Sequence, residues 1–251
     1  MALALTGAGA NVTITAAKSE QQLQSVQADV TGPGRLITAV ADAANAADCE
    51  RVVAQALESF GRVDCLVNNA GRGMRLVSET FTTEPCLFWQ TSPDQWREIV
   101  DCNINGPFNM ARAVARSMLQ QGFGKIINIS TSLQTMVRTG YSPYGPSKSA
   151  LESMSRVWAE DLADSGVTVN VLLPGGATDT ELLPGGASRR GADGNLLSPE
   201  LMREPILWLC ADQSNGHTAE RYIARHWQPA EHPDKAAVAA RDDSGELPRI
   251  M

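Results

Sequence analysis

The stretch K-I-I-N-I-S-T-S (125–132) is a β-branched run ending in three hydroxyl side chains, and Y-G-P-S-K (144–148) follows it. An apolar run of this length without alternation fits a strand buried on both faces. From Tyr144 to Asp164 the spacing of apolar residues changes to that of a helix. Outward from this pair the same rhythm repeats. N-V-T-I-T-A (11–16), R-L-I-T-A-V-A (35–41), R-V-D-C-L-V-N (62–68) and V-T-V-N-V-L-L (167–173) read as further buried strands, with 46–60 and 94–121 as helices. Ser92 is placed to cap the second of these, with Pro93 at its first position. Strand alternating with helix predicts an α/β fold with a doubly wound parallel sheet and ligands at the carboxyl ends of the strands. Residues 1–228 read as one domain. Residues 229–251, charged, Pro-containing and aperiodic, read as a flexible tail.

On a helix, Tyr144 and Lys148 stand at i and i+4 and project from one face. An ammonium held beside a phenol favours the phenolate and lowers its pKa from about 10 toward neutrality. Such a tyrosine exchanges a proton with a substrate oxygen near pH 7. A surface Tyr with an unrelated Lys is the plain alternative for the pair taken alone.

Bulk properties narrow the function. The chain has 251 residues, 43% hydrophobic and 20% charged, and a net charge of -7, which argues against a nucleic-acid binder. Five cysteines (49, 65, 86, 102 and 210) form no C-x-x-C pair and read as reduced thiols. The three histidines, at 217, 226 and 232, all lie in the last fifth of the chain, against a His triad or a zinc site. The apolar start has no basic residue before Lys18 and is broken by glycines. No run approaches the roughly 18 apolar residues of a membrane span. A cytoplasmic protein with no membrane or nucleic-acid partner is expected.

Other residues fall in order around the Tyr/Lys pair. Asn68-Asn69-Ala70-Gly71 closes one strand, and Asp42 ends another, placed to accept from an adenine amino group. Asn103 lies inside a long helix, where a polar residue bends the helix or holds water. Pro174-Gly175 ends the strand after the tyrosine helix. In this order and spacing they closely resemble the short-chain dehydrogenase/reductase family, from about residue 3 to 226. The resemblance implies a Rossmann-like fold and an NAD(P)-dependent oxidoreductase acting on a ketone/secondary alcohol pair. Tyr144 would be general acid/base. Lys148 would depress its pKa and hold the nicotinamide ribose, and Asn103 would anchor a water in the proton relay. Asn68, Ala70 and Gly71 would line the cofactor cleft with Pro174 and Gly175. Ala177 would offer backbone to the carboxamide, with Thr178 or Thr180 beside it. For the substrate-orienting hydroxyl, family spacing selects Thr131 and residue type selects Ser132.

The start departs from the family. T-G-A-G (6–9) looks like its glycine-rich phosphate loop, but N-V-T-I-T-A follows at once, and parallel strands need a crossover of a dozen or more residues. A-L-A-L-T-G-A-G-A-N-V (2–12) better resembles the end of the family's first helix running into its second strand. On that reading the fold is N-terminally truncated, lacking the first strand and phosphate loop, and cofactor binding is impaired. A genuine loop with an internal deletion is the alternative. No carboxylate stands at Ala16-Ala17-Lys18, which favours NADP over NAD. Lys18 is the candidate 2′-phosphate contact.

Phe88 and Trp89, in an extra segment near 84–90, would either tuck into the body or wall the substrate. Residues 176–198 resemble the family's substrate lid. Helices 94–121 and 142–164 would form a homodimer or homotetramer interface, the second through Leu151, Met154, Val157, Trp158 and Leu162. The other function class is a disabled family member serving as a binding or assembly partner.

Overall fold

The chain begins with α1 (Ala2–Gly7), β1 (Val12–Ala16), α2 (Glu20–Ala28), β2 (Leu36–Val40), α3 (Ala46–Phe60) and β3 (Cys65–Asn68). It continues through α4 (Pro93–Val100), a π-helical segment (Asp101–Asn105), α5 (Gly106–Gln121), β4 (Gly124–Ile129), α6 (Leu133–Met136) and α7 (Tyr144–Asp161). β5 (Val167–Leu173), α8 (Arg203–Cys210), β6 (Arg221–Ile223) and α9 (Pro233–Ala240) complete it. This computed structural model describes residues 1–242. Local chemistry sets the boundaries. The Asn45 side chain accepts from the Ala47 and Asp48 amides to open α3, and Gly61, at φ 79°, closes it. Ser92 and Gln95 form a reciprocal capping box at the start of α4, with Pro93 at the first position as expected.

All pairing between named strands is parallel, in two sheets ordered β2-β1 and β3-β4-β5-β6. The parallel α/β arrangement agrees with the fold expected from the sequence, and the gap between the sheets falls between β1 and β3, where the truncated reading leaves out a strand, with α1 before β1. The Ala/Leu sequence of α1 favours helix, and the link from Gly7 to Val12 is too short for a parallel crossover. β1 therefore pairs only with β2, and β3 only with β4, among the described residues.

The larger sheet is covered on both faces. Consecutive residues on β4 point oppositely: Ile126 joins Val53, Val114, Met118 and Val169 under α3 and α5, while Ile127 joins Leu172, Ile206, Trp208 and Leu209 under α8. α3 spans the two sheets, with Val52 packed on Ala39 and Ala41 of the β2 side and Val53 in the larger core.

Three expectations are corrected here. Residues 229–242 are not a loose tail, because α9 buries Ala236, Ala237 and Ala240 and Trp208 donates to Asp234 across 2.8 Å. The rest of that predicted tail, 243–251, lies outside the described residues. The predicted interface stripe on α7 is mostly inward: Leu151 is fully buried and Trp158 and Leu162 pack on the chain's own core, leaving Val157 exposed. Phe88 and Trp89 neither tuck in nor wall a cleft. They stand exposed against one another as an edge-to-face pair. Among the described residues, no helix is long and apolar enough to cross a membrane.

Candidate active site

A cleft of about 620 Å³ opens where β3, β4 and β5 end, a size suited to a small-molecule site. Asn69 and Gly71 line it after β3, Ser130, Thr131 and Ser132 after β4, and Pro174, Gly175, Gly176 and Ala177 after β5. Tyr144 and Lys148 enter from the first turns of α7. Gly145 is required beside the tyrosine, since a side chain there would meet the Met136 carbonyl oxygen at 2.3 Å. Gly175, at φ 90°, has Arg225 folded over it in the same way.

The sequence left Thr131 and Ser132 open, and the geometry separates them. The Thr131 side chain lies beside the Tyr144 phenol and works to lower its pKa. The Ser132 hydroxyl instead caps α6, accepting from the Thr135 amide at 3.3 Å and contacting the Thr135 hydroxyl at 3.0 Å. The expected lowering of the phenol by Lys148 is absent. Burial pushes Tyr144 up to about 12, and the Thr131 side chain pulls only partway back. The reason is that Lys148 Nζ donates to the Ile129 carbonyl, 2.8 Å away. Burial draws the Lys148 amine down to about 8, against Cys102 and Glu152. A depressed amine pKa means that charged Lys148 opposes folding below pH about 8, and that penalty fades as pH rises toward 10.5.

Asn103 lies within the π-helical segment, fully buried. Its Oδ1 accepts from the Arg72 amide at 2.8 Å, and its Nδ2 donates to the Arg72 carbonyl and to Ser147 Oγ, each at 2.9 Å. The polar residue sits where the helix widens into a π segment, and its side chain clamps the Arg72 backbone to Ser147. π segments inside α-helices often mark functional sites. Asn103→Ala would leave the part-buried Arg72 amide and carbonyl and the buried Ser147 hydroxyl each one partner short, at about 1–3 kcal/mol for each one left unsatisfied. We expect urea unfolding to show a loss of about 2–5 kcal/mol. A loss within error of zero would show that the clamp does not hold the cleft wall.

The chain matches the family model described as short chain dehydrogenase over residues 1–188. It belongs to the short-chain dehydrogenase family. A 3-oxoacyl-[acyl-carrier-protein] reductase of Synechocystis is 33% identical over 175 residues, covering 69% of this chain and 67% of that one. The enzyme of the same name from Thermotoga maritima is 28% identical over 209 residues, covering 80% and 81%. A solved short-chain type dehydrogenase/reductase from Mycobacterium marinum superposes with a TM-score of 0.77 at 26% identity, over 88% of this chain and 87% of that one.

As a short-chain dehydrogenase, the chain is an oxidoreductase of a family that uses nicotinamide cofactors, and the remaining predicted residues divide sharply. Asn68 does not line the cleft. The strand turns it inward, where Nδ2 donates to Asn128 Oδ1 at 2.8 Å and Asn128 in turn donates to Ser155 at 2.8 Å. Asn69 takes its place, while Ala70 is exposed and outside the cleft lining. Asp42 is also outside the lining. Its carboxylate accepts from the Ala44 amide in its own turn at 3.0 Å. Lys18 is exposed just beyond β1. Thr178 and Thr180 both line the cleft, and a bridge between Thr178 and Leu197 closes the base of the 176–198 loop. Sequence reasoning missed Ser130, Arg138 and Tyr141. Ser130 Oγ is buried without a partner, a strand-end hydroxyl one residue before those considered. Arg138 lies over the Tyr141 ring, 5.3 Å from its centre, and both line the cleft.

Proposed function

We propose that this short-chain dehydrogenase interconverts a ketone and a secondary alcohol with NADPH, Tyr144 being the general acid/base. The observation that carries this reading is that Tyr144, Thr131 and Lys148 line one cleft at the carboxyl ends of the strands. The nicotinamide half of the cofactor fits the residues present: the orphaned Ser130 hydroxyl, Gly71, and the Pro174–Ala177 backbone offer polar contact and close approach. Bound there, the nicotinamide would supply or accept the hydride. Lys148 would exchange the Ile129 carbonyl for the ribose hydroxyls. Its charge, moved toward the phenol, would lower a pKa that burial alone holds high. Ala177 and Thr178 or Thr180 would receive the carboxamide. Lys18, with no carboxylate near it at 16–18, would meet the 2′-phosphate that distinguishes NADP. The 3-oxo group in the relatives' names is one member of the ketone class proposed. Self-association as a homodimer or homotetramer would use α4, α5 and α7, which expose Trp96, Phe108, Leu119 and Val157.

Thr131 is assigned the substrate-orienting role and Ser132 the capping role. In NADPH-linked ketone reduction at excess NADPH, Thr131→Ala should lower kcat about tenfold or more, the worth of one hydrogen bond of about 1.5 kcal/mol. Ser132→Ala should lower stability by about 1 kcal/mol through the lost cap, with kcat nearly unchanged. The reverse pattern would transfer the role to Ser132, and two unchanged enzymes would leave neither hydroxyl in the reaction.

A further inference from the structure

A second reactive cluster lies at the opposite end of β3 from the cleft. Cys65 is the first residue of β3, Cys210 is the last of α8, and their sulfurs stand 3.2 Å apart. Neither lines the cleft, and both are half-buried rather than sealed. Lys125 is the direct partner of Cys65 in the β3–β4 register. It is almost wholly buried, and its ammonium donates to the Ala211 carbonyl at 2.8 Å and to Ser214 Oγ at 2.6 Å, next to Cys210. Among the described residues it has no carboxylate within ion-pair distance. A buried cation without an anion is expensive, and a thiolate beside it would supply the missing charge.

We propose that Cys65 and Cys210 are a dithiol/disulfide modification site, oxidised by small external disulfides, that ties β3 to α8. The two sulfurs need approach by only about 1 Å to reach the roughly 2.05 Å of a disulfide. One thiolate attacks a sulfur of the external disulfide and expels one small thiolate, leaving a mixed disulfide on the protein. The neighbouring thiolate attacks the protein sulfur of that bond, forms Sγ–Sγ and expels the second small thiolate. The pair loses two electrons and two protons, and the external disulfide is reduced to two thiols. Lys125 stabilises the thiolate at each attack. The shared hydrogen bond and burial hold the Cys65 thiol above its usual range, with Lys125 pulling the other way. The bond would close a loop of more than a hundred residues, so its main effect is on the unfolded chain. β3 is short and, among the described residues, pairs on one side only, and the tie anchors it at the end away from the cleft.

The test treats the full chain with oxidised glutathione, blocks remaining thiols by alkylation, and maps peptides without reduction. The expected result is a Cys65–Cys210 cross-link, reversed by dithiothreitol, with a rise in thermal midpoint of about 5 °C or more. The double variant Cys65→Ser/Cys210→Ser should show no such rise. Separate glutathione adducts on the two cysteines, or alkylation of both after treatment, would overturn the proposal. So would the same midpoint rise in the double variant.

Discussion

Tyr144→Phe is expected to lower the rate of NADPH-linked ketone reduction at least 10²–10⁴-fold, the range of general acid–base catalysis. The substitution removes only the phenolic oxygen, and with it the proton donor beside Thr131. The ring still fills the first turn of α7, so fold and NADPH affinity should stay close to those of the parent. Single-turnover measurement at excess NADPH isolates the chemical step from weak cofactor binding. A variant keeping more than about a tenth of the parent rate would place the proton transfer elsewhere, since loss of the acid should exceed one decade.

The second large effect concerns cofactor affinity. Thr6–Gly9 lies at the carboxyl end of α1, not at a helix start. The Ala8, Gly9 and Ala10 amides already donate to the Ala4, Thr6 and Leu5 carbonyls at 3.0, 3.0 and 2.9 Å. A helix carboxyl end also carries partial negative charge, the wrong sign for phosphate. We therefore expect this stretch to give the pyrophosphate no amide cradle. Two charge-assisted bonds of about 1.5–3 kcal/mol each correspond to roughly 10²–10⁴ in affinity. A fluorescence titration should show the 251-residue chain binding NADPH weaker by that factor than a relative with the glycine-rich loop. Micromolar affinity would mean that 6–9 rearranges to present its amides. Weak binding with measurable turnover at excess NADPH would separate a cofactor-impaired enzyme from a purely binding protein.

How much the sequence revealed depended on how much apolar bulk each element carries. The five apolar strands and the three helices with wide apolar faces were legible because each carries Val, Ile or Leu in a run or at a helical period. β6 escaped because three residues cannot display a period. α9 escaped because it packs through alanines, whose small side chains carry little apolar signal. α2 presents a single buried leucine amid glutamines. At the site, Tyr144, Lys148 and Asn103 could be found by type and spacing. Which hydroxyl meets the phenol could not, because it turns on a four-residue helix that uses Ser132 as its cap. The i, i+4 rule placed Lys148 and Tyr144 on one face, but it does not direct a flexible amine, and here a strand-end carbonyl claims it. The inward turn of Asn68 was available from strand alternation, because Leu66 and Asn68 share their parity and both are buried.

The division of the sheet has a consequence for how the molecule breathes. β1, β2 and α2 share no strand hydrogen bonds with the larger sheet. Their attachments run through α3, through the Asn109 side chain held to the Ala43 and Ala44 carbonyls, and through the Gly34 amide held to Thr6 on α1. Such a unit can open as a local foldon while the β3–β6 core stays closed. The proposed 2′-phosphate contact, Lys18, rides on that unit, whereas Tyr144 and Lys148 belong to the core. A dinucleotide laid across both would staple the two parts together, so part of its binding energy would go into quenching this motion.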